Sequence, residues 1–302
     1  MPKLRTLLFT FFSVGLLMYT TTLSAEITHT RDIEYAKVGD VSLKLDLYVP
    51  SGTVKAPLIV YVHGGAWRAG EKEDMPLGAL VQKGFAVASV DYRLSGDAPF
   101  PAMVHDIKAA IRFLRAHGKE HGLSDTSRIA IVGSSAGGHL AALVGVTSGV
   151  KELEGTVGKD LKESSSVESI ISLFGASNLQ SILSQTTPAG MVIREPALDQ
   201  LLGGLPDKQP ELAKLGSPVA HVNAGDPPLL LIHGDADPQM PYEQSLELKA
   251  VYEKAGLPVQ LITVPGGKHG GKEFHDAART NQMAEFLESA SASASGKTKA
   301  KK

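Results

Sequence analysis

Four short segments of this 302-residue chain carry residue types that could cooperate in acyl transfer: His63-Gly64-Gly65-Ala66-Trp67, Gly133-Ser134-Ser135-Ala136-Gly137, His233-Gly234-Asp235-Ala236-Asp237 and Lys268-His269-Gly270. A serine hydroxyl is a weak nucleophile at neutral pH and needs a positioned base. Ser135 lies between an apolar run ending at Val132 and a helix-compatible stretch through Val144, with Gly133 and Gly137 permitting a sharp turn. That turn would expose the serine in a strained conformation. His269 is the candidate base, in a Gly-rich loop after the last apolar run. Near neutrality an imidazole can take the serine proton and return it to a leaving alcohol. Asp237 is the candidate acid that would orient the imidazole. Asp235 competes with it, but a position further past the run is better able to reach back to the histidine. Paired glycines before Ala66 let backbone N–H groups turn toward one point. The N–H of Gly65 or Ala66, with that of Ala136, would stabilise an oxyanion. Trp67, the only tryptophan, either walls a substrate pocket or packs under this loop.

These residues need a scaffold that delivers them to one edge. From about Arg31 to Pro50 the chain alternates apolar and polar residues, which predicts two half-exposed strands turning at Gly39-Asp40. Five continuous apolar runs follow: 58–62, 86–90, 129–132, 170–174 and 229–232. Such runs suit strands buried on both faces of a parallel sheet. Val259–Val264 adds another strand. Helical periodicity lies between them: Val104, Ile107, Ile111 and Leu114 share one face, and so do Leu248, Val251, Tyr252 and Ala255, with Gly256 placed to end that helix. Met283, Phe286, Leu287 and Ala290 mark a last amphipathic helix. The fold class is therefore α/β, with about eight mostly parallel strands and helices on both faces. Residues 177–226 break the alternation and read as a lid or a crossover insertion.

Residues 1–25 read as a signal peptide: Lys3 and Arg5, an apolar run from Leu7 to Tyr19, then Leu23-Ser24-Ala25. The expected location is secreted or periplasmic, without stable membrane insertion after cleavage; a retained N-terminal anchor is the alternative. No cysteine is present, which excludes disulfides and a cysteine-linked lipid. The catalytic domain is expected over 26–290, and 291–302 reads as a disordered basic tail. The formal net charge is −2, but leader and tail hold six cations and no acid, so the body is more acidic than that value implies. An acidic body argues against nucleic acid as partner. No pair of histidines has helical metal-ligand spacing with a carboxylate between, so neither metal nor organic cofactor is expected.

The four segments occur in the order oxyanion loop, nucleophile, acid, base, which is the chain order of the α/β-hydrolase fold. Together with Asp91-Tyr92-Arg93 and Phe174-Gly175-Ala176 they resemble the α/β-hydrolase carboxylesterases with an HGG oxyanion loop, in the feruloyl/acetyl-xylan esterase-like (BD-FAE) branch. The resemblance runs from about Val41 to Phe286. It implies Ser135 as nucleophile, Asp237 as acid, His269 as base, and Gly65, Ala66 and Ala136 as oxyanion donors. It also implies a mostly structural Asp91-Tyr92-Arg93, with Arg93 paired to Asp106. The activity implied is a secreted carboxylic ester hydrolase for short-acyl or aromatic-acyl esters, including acetyl or feruloyl groups on polysaccharides. A serine peptidase or amidase of the same fold, or a non-catalytic binding protein on a hydrolase scaffold, are the alternatives. The chain departs from the family at Ala66, which replaces the third Gly of the HGGG form but keeps its N–H. It also departs at Phe174-Gly175-Ala176-Ser177-Asn178, where the family has Tyr-Gly-Pro-Thr-Asp.

Overall fold

The chain builds one eight-stranded sheet in the spatial order β1-β2-β4-β3-β5-β6-β7-β8. The computed structural model describes residues 26–52 and 54–300, so the leader expected over 1–25 lies outside the described residues. The strands are β1 (Ile27–Val38), β2 (Val41–Pro50), β3 (Lys55–Val62), β4 (Phe85–Val90), β5 (Ile129–Ser134), β6 (Ser169–Leu173), β7 (Leu229–Gly234) and β8 (Val259–Val264). β1 pairs with β2, and β2 with β4, antiparallel. Every other pairing is parallel. The alternating segment thus forms the antiparallel edge, and the continuous apolar runs form the parallel core.

The helices are α1 (Gly78–Gln82), α2 (Ala102–His117), α3 (Ala136–Val146), α4 (Lys151–Glu154), α5 (Ile182–Gln185), α6 (Pro188–Leu202), α7 (Pro210–Leu215), α8 (Glu243–Lys254) and α9 (Ala277–Ala300). Alternate strand residues feed two cores, as period-two geometry requires. Leu58, Val60, Ala88, Ile131 and Leu231 face α2, α3 and α8. Ile59, Val87, Val132, Leu230 and Ile232 face α1 and α9, through Leu80, Met283 and Leu287. Gly256, at φ +69°, ends α8 in the left-handed conformation that glycine takes without strain.

The segment 177–226 folds into α5, α6, α7 and a short 3₁₀ turn. Ala197, Leu198, Leu201 and Leu202 of α6 are buried in the same core as α2 and α3. At the C-terminus, composition points to a disordered end from Ser291, but α9 continues to Ala300. The alanines there are strong helix formers and extend a helix already nucleated on the sheet. No helix of the described residues is long and apolar enough to cross a membrane.

Candidate active site

Because β3, β5, β7 and β8 run parallel, the loops after them open on one edge of the sheet. These are the loops that carry the four segments. Ser135 sits between β5 and α3 at φ 55°, ψ −119°. A non-glycine residue held there stores roughly 1–3 kcal/mol of strain. Two backbone bonds hold it: its N–H donates to Leu173 O at 2.9 Å, and its carbonyl accepts from His139 N–H at 3.0 Å. The flanking glycines are needed for contact. A Cβ on Gly133 would lie 2.1 Å from Gly137 O, and one on Gly137 would lie 2.1 Å from Val62 O.

Ser135 Oγ lies 2.7 Å from His269 Nε2. On the far side of the ring, His269 Nδ1 lies 2.7 Å from Asp237 Oδ2. The carboxylate fixes the tautomer with hydrogen on Nδ1 and leaves Nε2 free to accept the serine proton. Asp237 Oδ1 accepts the N–H groups of Gln239 and Met240 at 2.8 and 2.9 Å. Burial alone would raise the Asp237 pKa. Interactions with His233 and His269 and the backbone N–H donors outweigh it and hold the carboxyl far below its usual range. Asp235, the competitor, instead accepts Gly266 N–H at 2.6 Å, which ties the acid loop to the base loop.

His233, for which no role is evident in the sequence, supports the acid from behind. Its Nε2 lies 3.1 Å from Met240 O and 3.4 Å from Asp237 Oδ2. Both neighbours are acceptors, so Nε2 carries the hydrogen, and Nδ1 accepts from Ser245 Oγ at 2.7 Å. Phe174 opens the segment where the chain departs from the family pattern. At φ 40° it presents its ring edge-on to His269, with centroids 5.0 Å apart. Phe274 backs it at 4.7 Å.

In the loop after β3, Gly65, Ala66 and Trp67 take φ 106°, 51° and 61° in succession. The turn closes on Gly65 O, which accepts Arg68 and Ala69 N–H at 3.1 and 3.0 Å. A Cβ on Gly65 would strike Ala69 O at 2.0 Å. A Cβ on Gly64 would lie 3.4 Å from Ser135 Cβ, so this loop is pressed against the serine turn. Ala136 is the first residue of α3, and the N–H of a first helical residue has no partner within its helix.

Trp67 takes the second of its two expected roles and is not a pocket wall. It is fully buried under the loop. Its Nε1–H donates to His139 Nδ1 at 3.1 Å, and His139 Nε2–H donates to Gly216 O at 2.6 Å. Burial pushes the His139 pKa down to about 4. His63 is structural as well: it stacks on Tyr92 at 4.4 Å, and Tyr92 Oη–H donates to His63 O at 3.1 Å. Arg93 grips the buried Asp106 through Nε and Nη2 at 2.8 and 2.7 Å. Asp91-Tyr92-Arg93 thus anchors the loop from below. His275 lies beyond the base loop, half-buried, after a 3₁₀ turn at Lys272–Phe274.

The BD-FAE family model matches residues 45–252, more than half of the chain. The chain belongs to the BD-FAE family. Its sheet order and parallel core are those of the α/β-hydrolase fold, which its solved structural neighbours share. A second model, described as TAP-like protein, matches residues 212–299, which include both Asp237 and His269. Esterase LipC of Mycobacterium tuberculosis is 31% identical over 244 residues, covering 78% of this chain and 58% of the relative. This BD-FAE chain spans about half to six-tenths of the length of the curated relatives it matches. A truncated carbohydrate esterase from gut microbiota superposes with a TM-score of 0.80 at 33% identity, covering 90% of this chain and 99% of that one. An esterase of Thermogutta terrifontis superposes with a TM-score of 0.68 at 29% identity, covering 87% and 91%.

Proposed function

We propose that this BD-FAE protein is a secreted serine carboxylic ester hydrolase that acts on short-acyl esters, acetyl groups on carbohydrates among them, through an acyl-Ser135 intermediate. The observation that carries this reading is the relay of two 2.7 Å contacts, Ser135 to His269 and His269 to Asp237, ending on a strained serine. Ser135 Oγ attacks the ester carbonyl as His269 Nε2 takes its proton. The oxyanion falls to the N–H groups of Ala136 and of Ala66 or Gly65. His269 returns the proton to the leaving alcohol, then activates a water that hydrolyses the acyl-serine. Asp237 stays ionised throughout and stabilises the imidazolium.

Two kinds of relative support the substrate class. One is the carbohydrate esterase of gut microbiota, together with a bifunctional acetyl ester-xyloside hydrolase of Caldicellulosiruptor lactoaceticus. The other is the Thermogutta esterase, whose structures carry bound propionate and butyrate. The leader of residues 1–25 supports export.

The test is hydrolysis of p-nitrophenyl esters from acetyl to palmitoyl by the protein and by Ser135→Ala. Turnover that peaks at acetyl to butyryl and is lost in the variant is expected. A folded protein inactive on every ester would overturn the reading, and preference for palmitoyl would overturn the short-acyl part.

A further inference from the structure

The helix α6 touches the acid loop at three points. Thr187 Oγ1, at the start of α6, donates to Pro238 O at 3.3 Å. Gly190 packs so closely that a Cβ there would lie 2.6 Å from Pro238 O. Arg194 Nη2 donates to Gln239 O at 3.0 Å. Pro238 and Gln239 directly follow the acid, and Gln239 N–H is one of the two donors to Asp237 Oδ1.

Arg194 is an unusual residue to bury. It is 2% exposed, and among the described residues no carboxylate comes within ion-pair distance of it. Its Nε has no hydrogen-bond partner. Its guanidinium lies 5.6 Å from the Trp67 ring, under the oxyanion loop. A buried, unpaired cation is expensive to retain. This one spans from the acid loop to the tryptophan beneath the oxyanion loop, and the Asp237 carboxylate is the anion whose field most favours its charge. Burial lowers its pKa to about 10, so it remains charged at neutral pH.

We infer that α6 is a fixed clamp on the acid loop, with Arg194 as its positioning residue, so that 177–226 belongs to the catalytic machinery rather than forming a lid that swings away. Arg194 touches no reacting atom. It acts by holding Gln239, and through it Asp237, and by placing a cation near the acid–base pair. The titratable and charged groups around this pair are Asp237 and His233 on the acid strand and loop, His269 on the base loop, His139 on α3 and Arg68 after the oxyanion turn.

This inference rests on the esterase reading. Its test compares Arg194→Met and Arg194→Lys with the wild type across pH on p-nitrophenyl acetate. Arg194→Met is expected to lower kcat by about 10- to 100-fold with KM little changed, since a small misplacement of the catalytic pair is sufficient. Removing the cation eases formation of the imidazolium, so the acid limb of the pH–rate profile moves to higher pH. Arg194→Lys restores the charge without the planar reach to Gln239. It is expected to return the acid limb to its wild-type position while recovering only part of kcat. If the Met variant does not fold, the Lys variant and Thr187→Val, which removes the bond to Pro238 O together with the α6 cap bond from Gly190 N–H, decide through the same kcat loss at constant KM. Variants that fold and match the wild type in kcat and acid limb overturn the inference alone. A wild type inactive on every ester removes the esterase reading and this inference with it.

Discussion

Ser135, His269 and Asp237 are arranged so that each fixes one degree of freedom of the next. The elbow aims Oγ, the carboxylate sets the imidazole tautomer, and two N–H groups plus His233 set the carboxylate. Asp237→Asn would keep the shape but present an amide to His269 and favour the wrong tautomer. It is expected to reduce kcat by about 10⁴-fold on p-nitrophenyl acetate. Asp235→Ala removes only a bond to Gly266 N–H, and kcat is expected to stay within about tenfold of wild type. Equal losses in the two variants would contradict the assignment of Asp237 as the acid.

At the scale of elements, the oxyanion loop and α3 are held together by backbone approach and a buried imidazole. Gly65→Ala would put a Cβ 2.0 Å from Ala69 O at φ +106°. The loop then has to rearrange, and kcat is expected to fall about 10²- to 10³-fold, the usual loss for one oxyanion donor. Steady-state kinetics on the folded variant would check it. His139 links α3 to Trp67 and to Gly216 beyond α7. The folded protein holds His139 neutral down to about pH 4, whereas the unfolded chain protonates it near 6.5. Between those values the unfolded state binds the extra proton, so stability falls as the pH drops, by up to about 3 kcal/mol. His139→Gln can still accept from Trp67 and donate to Gly216 but does not titrate. Denaturant unfolding at pH 7 and pH 4.5 is expected to show a smaller loss of stability in the variant than in the wild type.

Over the whole molecule, the candidate site lies at the C-terminal edge of the parallel strands, and α9 packs on one face of the sheet. The loops that carry Ser135, Asp237 and His269 leave the C-terminal ends of the parallel strands, while α9 packs on the face lined by Ile59, Val132 and Ile232. Leu287 is fully buried there. Leu287→Ala is expected to destabilise the fold by about 2–5 kcal/mol while leaving kcat/KM per folded molecule unchanged. Thermal unfolding and active-site titration together would measure both. An activity loss larger than the loss of folded protein would mean that the back face is coupled to the site.

The strands of the sheet and their order along the chain were legible in the residues, whereas the helices within 177–226 were not. Apolar runs at 58–62, 86–90, 129–132, 170–174 and 229–232 match β3 to β7, because a strand buried on both faces reads as a near-continuous apolar run. The glycines at 133 and 137 marked the serine turn, since backbone touches backbone there. Short-range pattern carries no information about which distant side chains meet. That Trp67 lies beneath its loop was decided by His139 and Arg194, which reach it from α3 and α6. That Asp237 rather than Asp235 reaches His269 was decided by where the loops after β7 and β8 turn. The parts of His233, Phe174 and Arg194 depend on partners in other elements, and burial and hydrogen bonding across those elements exist only once the chain has packed.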